Sequence, residues 1–190
     1  MQTFFDEVSM STHTLDRLKR LSRILYGFSV ALIAALAFAG AVLTAMTIAD
    51  VGVLTRAFPD VVRDPATVSM TARIVSLALG WIAIGLMIHA IRCLMRMFSL
   101  TGQGRILTQE AATWMRRAGI TLFVLAIYST VSRTLTILFL SMGNPPGERQ
   151  LAIGVESTQL FSIFLAGVFL LVAHALVLGS EIEQENKSFV

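Results

Sequence analysis

Residues 24–49 read ILYGFSVALIAALAFAGAVLTAMTIA, with no charged side chain between Arg23 and Asp50. A bilayer core needs about 20 consecutive apolar residues of helix, and this run exceeds that. A secretory signal is the competing reading, because Arg17, Lys19, Arg20 and Arg23 precede the run and Ala37-Phe38-Ala39 stands before Gly40. The core of a signal spans only about 7 to 15 residues, and the leader here is long and carries acids. An uncleaved transmembrane helix is therefore expected.

Three further blocks of spanning length follow, at about 71–95, 118–140 and 158–179. They account for the composition of the 190-residue chain, in which 55% of residues are hydrophobic and 14% charged. Average globular chains carry roughly 25% charged residues. Four spanning blocks leave little room for a separate soluble domain. The expected fold is an all-α membrane protein, with four transmembrane helices in an antiparallel bundle. It divides into a leader (1–23), the membrane domain (24–179) and an acidic tail (180–190). The lone cysteine, Cys93, excludes an intrachain disulfide and a multi-cysteine metal framework.

The connections differ in kind. Pro59 and Pro65 mark the first and Gly143-Asn144-Pro145-Pro146-Gly147 the third, and both read as turns. In the second, Thr101-Gly102-Gln103-Gly104 reads as a flexible turn, since it lacks the ending and the preceding strand of a phosphate loop. Thr108 then suits a helix N-cap and Glu110 its first turn, predicting a short amphipathic helix that lies at the interface or runs straight into span three.

Orientation follows from the cations. Arg17, Lys19, Arg20 and Arg23 flank span one, and Arg92, Arg96, Arg105, Arg116 and Arg117 occupy the middle connection. The other two connections hold Arg56, Arg63 and Arg149, with Arg73 at a span edge. Positive residues stay inside, which puts the leader, middle connection and tail in the cytoplasm. The expected location is the bacterial inner membrane, multi-pass, with both termini cytoplasmic. The net charge of +3 is explained by this topology and requires no direct contact with nucleic acid.

Candidate functional residues are few. Gly27, Ala31, Ala35 and Ala39 form a strip of small side chains at helical spacing, suited to close packing against another span or a second copy of the chain. Arg133 lies inside an apolar block, and a charge there must reach the interface or find a partner. Asp50 and Glu156 are its candidate partners, and a ligand or ion pathway is the functional alternative. His89 and His174 could act as axial haem ligands, although packing or simple hydrogen bonding is the plainer role for each. Cys93 lies one turn after His89, but no third ligand is evident for a metal. No cofactor is expected, and no nucleophile–base arrangement supports catalysis. On the cytoplasmic side, Arg105, Thr108, Glu110, Arg116 and Arg117 oppose Glu181, Glu183 and Glu185 of the tail. Together they offer a docking surface for a cytoplasmic protein.

Gly104-Arg105-Ile106-Leu107-Thr108, then Arg116-Arg117-Ala118-Gly119, and the ending Ile182-Glu183-Gln184-Glu185-Asn186-Lys187-Ser188-Phe189-Val190 resemble the corresponding segments of a bacterial family of uncharacterised four-span membrane proteins, a domain of unknown function. The resemblance covers spans two to four and the tail; the leader before Ile24 lies outside it. Members of that family are often encoded beside small helix-turn-helix regulators of the Xre type, so the resemblance implies a membrane partner for a transcription regulator. It supplies no catalytic residue.

Overall fold

The computed structural model describes residues 2–50, 52–62, 67–105, 108–145, 147, 154 and 157–188, without the side chains of 2–16, 18, 183, 184 and 186–188. Its elements are α1 (Gln2–Ala49), α2 (Gly52–Ala57), α3 (Met70–Gly102), α4 (Gln109–Ser141) and α5 (Ser157–Ser188). Among the described residues the protein is all-helical, with 88% of them in helix.

Four segments are long and apolar enough to cross a membrane: Lys19–Ala49, Met70–Gly102, Gln109–Ser141 and Ser157–Ile182. The apolar side chains of these segments face outward to a degree that water would not tolerate. Phe38 is 73% exposed, Leu171 71% and Phe164 68%. Apolar surface on this scale belongs against lipid. Hydroxyl side chains within the spans bond back to their own helix, as Ser29 does to the Leu25 carbonyl (2.8 Å) and Thr121 to that of Arg117 (2.8 Å), so they add few unmet polar groups to the apolar surroundings.

Two compact units organise the chain. The first comprises Met1–Ile33, His89–Thr121 and Leu165–Val190, and the second Ala34–Ile88 and Leu122–Phe164. Successive long helices enter the units in alternating order, which is the antiparallel connectivity expected.

In the first unit α4 and α5 approach through small residues. Ala118 and Ala166 are fully buried, and a Cβ placed on Gly119 would stand 3.1 Å from the Ala166 carbonyl oxygen and 3.2 Å from Leu170 Cγ and Phe169 Cβ. Without a side chain at 119 the two backbones can lie this close. At the other side of this unit Ser22 of α1, 5% exposed, sits against Gly102 of α3.

Where a flexible turn was expected, α3 ends in a defined cap. Gly104 adopts φ +79°, its amide donates to the Thr101 carbonyl (3.0 Å), and the Arg105 amide donates to that of Leu100 (3.0 Å). That pair of bonds is a Schellman motif, and the left-handed residue in it is the glycine that tolerates such a φ. Thr108 then caps α4, its hydroxyl oxygen accepting from the Ala111 amide (3.2 Å). Arg105 and Glu110 form an ion pair across the junction at 3.2 Å. From Gln109 the helix continues without a break to Ser141, so the middle segment runs straight into span three.

The second unit contains more structure outside its spans than two turns. Asp50 accepts from the Gly52 amide at 2.7 Å and starts α2. Leu54, Val61 and Val62 then pack with Val68 and Ala72 of the next segment and with Ile137 and Leu140 of α4. Asn144, buried, donates to the Val61 carbonyl at 2.9 Å and ties the end of α4 to that core. Ser69 caps α3, accepting from the Ala72 amide at 3.1 Å. Within the spans of this unit, Gly40 of α1 lies under Trp81 and Ile84 of α3. Trp81 Nε1 donates to the Thr44 hydroxyl (3.0 Å), which donates to the Gly40 carbonyl (2.8 Å). The Tyr128 hydroxyl of α4 donates to the Leu79 carbonyl of α3 at 2.8 Å. Arg63, Pro65, Pro146 and Arg149 of the two connections lie outside the described residues.

Candidate functional site

The first unit holds two cavities that share Tyr26 and Ser99. The larger, about 470 Å³, is lined by Tyr26, His89, Arg92, Cys93, Met95, Arg96, Ser99 and Trp114. The smaller, about 250 Å³, is lined by Lys19, Ser22, Arg23, Tyr26, Phe98, Ser99 and Gly102. Their walls are two helical stripes. Lys19, Ser22, Arg23 and Tyr26 recur at three- and four-residue spacing on α1, as do His89, Arg92, Cys93, Arg96 and Ser99 on α3, so each set occupies one helix face.

Four cations thus line the adjoining cavities, two in each, and among the described residues no carboxylate lines either one. Trp114, on the first turns of α4, forms part of the same wall. Its ring also carries the Arg117 guanidinium, 4.7 Å from the centroid. Cation–π contact of this kind contributes about 0.5–1 kcal/mol at exposed sites. His89 Nε2 lies 3.7 Å from Cys93 Sγ. Among the described residues no three of His, Cys, Asp and Glu come together.

The remaining candidates are placed as follows. His174 is exposed on α5 and lines neither cavity, so the structure does not bring it to the place that His89 occupies. Gly27, Ala31, Ala35 and Ala39 are all exposed; the residue by which α1 closely meets α3 in the second unit is Gly40. Arg116 and Arg117 are exposed on α4, and Glu181 and Glu185 on α5, which continues as helix through the acidic segment to Ser188. Glu156 lies outside the described residues, as does the side chain of Glu183. Asp50 is engaged at the start of α2. Arg133 is exposed on α4.

A third cavity, about 330 Å³, belongs to the second unit. Leu36, Ala83, Ile84, Met87, Leu125 and Ala126 make it largely apolar, with Ser129, Thr158, Gln159 and Ser162 as its polar groups. Arg133 is not among its lining residues. Sequence reasoning did not find this cavity, whose polar groups Gln159 and Ser162 come from α5.

Sequence reasoning also passed over the convergence of Lys19, Arg23, Arg92 and Arg96. It treated them one at a time as determinants of orientation. The readable signal was the pair of stripes, basic and aromatic on α1 and basic with His and Ser on α3.

Searches of the curated proteins and of the solved structures return no match. A family model described as "Protein of unknown function (DUF2975)" matches residues 61–190, which include α3, α4 and α5 with their connections. The α3 stripe, the capped α3–α4 junction and the acidic end of α5 all lie within that match, and α1 lies before it. The chain, with its four membrane-length helices, belongs to the DUF2975 family of proteins of unknown function.

Proposed function

We propose that this is a non-enzymatic protein of the bacterial inner membrane whose first unit faces the cytoplasm and docks a small soluble protein, such as a helix-turn-helix regulator. The observation that carries the reading is the α3–α4 junction. Capped at both ends and pinned by Arg105 and Glu110, it presents exposed Arg116 and Arg117 on a continuous helix. The end of α5 supports it from the same unit, with Glu181 exposed at the close of its membrane segment and Glu185 exposed on the helix that continues past it. Helix held rigid beyond a bilayer presents charges in fixed register, which lowers the ordering cost of binding.

Co-purification from native membranes tests the docking. The intact protein is expected to retain a partner that is lost when residues after Ser180 are removed or when Arg116→Glu and Arg117→Glu are combined. Recovery of the same proteins by all three forms refutes it.

The cavity of the second unit favours one further reading, a carrier or sensor of a small, mostly apolar ligand. Gln159 is buried and faces that cavity with Ser129, Thr158 and Ser162, a small polar set in an apolar wall. Under this reading Gln159→Leu changes the ligand response, whereas Arg133→Leu affects it only through an ion path. An unchanged response in both variants removes the carrier.

A further inference from the structure

Lys19, Arg23, Arg92 and Arg96 are all exposed, and among the described residues none of them forms an ion pair. Setting the orientation of a membrane helix requires only that cations stand near its end. It does not require two cations from each of two helices to line adjoining cavities, where like charges repel. A bound anion relieves that repulsion. Guanidinium groups favour phosphate through paired N–H donors, and the Tyr26 and Ser99 hydroxyls stand where the two cavities meet.

The surroundings distinguish a lipid from a free ion. Lys19 and Arg23 belong to the first membrane segment, and Arg92 and Arg96 to the second. On the face of α1 away from the cavities the same turns carry Leu21, Ile24 and Phe28, 53%, 61% and 64% exposed, so this level of the helix stands against lipid. Trp114 and Tyr26 supply the amphipathic rings found at headgroup depth. A free phosphate ion would use the cations alone and need no bilayer at this level. An anionic lipid is already present at that level: its phosphate enters among the cations while its chains stay in the surrounding bilayer. Basic cavities between membrane helices are suited to such headgroups.

We propose that the two adjoining cavities form one binding site for the phosphodiester headgroup of an anionic glycerophospholipid, with Lys19, Arg23, Arg92 and Arg96 as its counter-charges. The site is independent of any docked protein, since it requires only the membrane and this chain.

Native mass spectrometry of the full chain released from detergent micelles tests it, with phosphatidylglycerol, phosphatidylcholine and inorganic phosphate as probes. Phosphatidylglycerol is expected to be retained in preference to phosphatidylcholine. Each cation removed should weaken retention about fivefold, in Arg92→Gln on α3 and equally in Arg23→Gln on α1. Arg116→Gln removes the same charge outside the cavities and should retain the lipid as the parent does. Thermal unfolding midpoints of the variants show that they remain folded, and the lipid preference of the unaltered chain is independent of any variant. Equal retention of the two lipids overturns the proposal. So does equal loss in Arg116→Gln, which would mean diffuse charge. Displacement of phosphatidylglycerol by excess inorganic phosphate overturns the lipid assignment in favour of a free-anion site.

Discussion

Replacing Gly119 with alanine should weaken the α4–α5 contact, and replacing Gly27 with alanine should not. The added Cβ at 119 meets the Ala166 carbonyl oxygen at 3.1 Å and two side-chain carbons at 3.2 Å, whereas at 27 it meets nothing within 4 Å. Carbon atoms pack best at about 3.5–4.0 Å, so the pair of helices must open by a few tenths of an ångström. The obstacles are a backbone oxygen and the inner atoms of Phe169 and Leu170, none of which can swing aside cheaply. Ala118 and Ala166 are fully buried in the same contact, so opening it loosens neighbours as well. Overpacking of this kind costs about 1–3 kcal/mol. Both substitutions also gain helix propensity, about 1 kcal/mol each. The gain cancels in the difference, leaving about 1–3 kcal/mol of packing between Gly119→Ala and Gly27→Ala. Reversible unfolding in mixed micelles, followed by circular dichroism, measures that difference. Two variants of equal stability would refute the close approach of α4 and α5.

Three other substitutions probe separate contacts. Gly104→Ala places a side chain at φ +79° and should destabilise the first unit by about 1–2 kcal/mol, read as a lower unfolding midpoint, with Gln103→Ala as the control. Tyr128→Phe removes a hydroxyl that bonds the Leu79 carbonyl and should cost about 0.5–1.5 kcal/mol in the same assay. Gly143→Ala drives a Cβ into the backbone carbonyl of Thr67; increased protease sensitivity of the second unit's connections is the expected sign, and an unchanged digestion pattern would contradict the packing around Asn144.

The spans were legible because a run of more than 20 apolar residues has few folded alternatives. Thr108 and Glu110 were legible because capping is a local bond between neighbours. Gly104 was harder to read. Its glycine announces a turn, but only the place where α3 stops determines that Leu100 and Thr101 accept the two capping bonds, and a cap so formed is firm. The core around Leu54, Val61 and Val62 was hidden for a different reason. Pro59 interrupts any periodic pattern, and the partners Ile137 and Leu140 come from another helix far along the chain. Gly40 escaped notice beside the four-residue repeat of Gly27, Ala31, Ala35 and Ala39, because the sequence alone does not say which face of α1 meets Trp81. The basic cavities required the same missing knowledge, since a stripe becomes a site only when a second stripe faces it.

In the proposed topology four membrane spans place the basic unit inside the cell. Labelling of single cysteines by a membrane-impermeant maleimide tests it most directly, and buried Cys93 provides a quiet background. In intact cells Pro145→Cys should react, while Gln103→Cys and Glu185→Cys should react only after the membrane is opened. Labelling of Gln103→Cys in intact cells, with Pro145→Cys protected, would contradict the account.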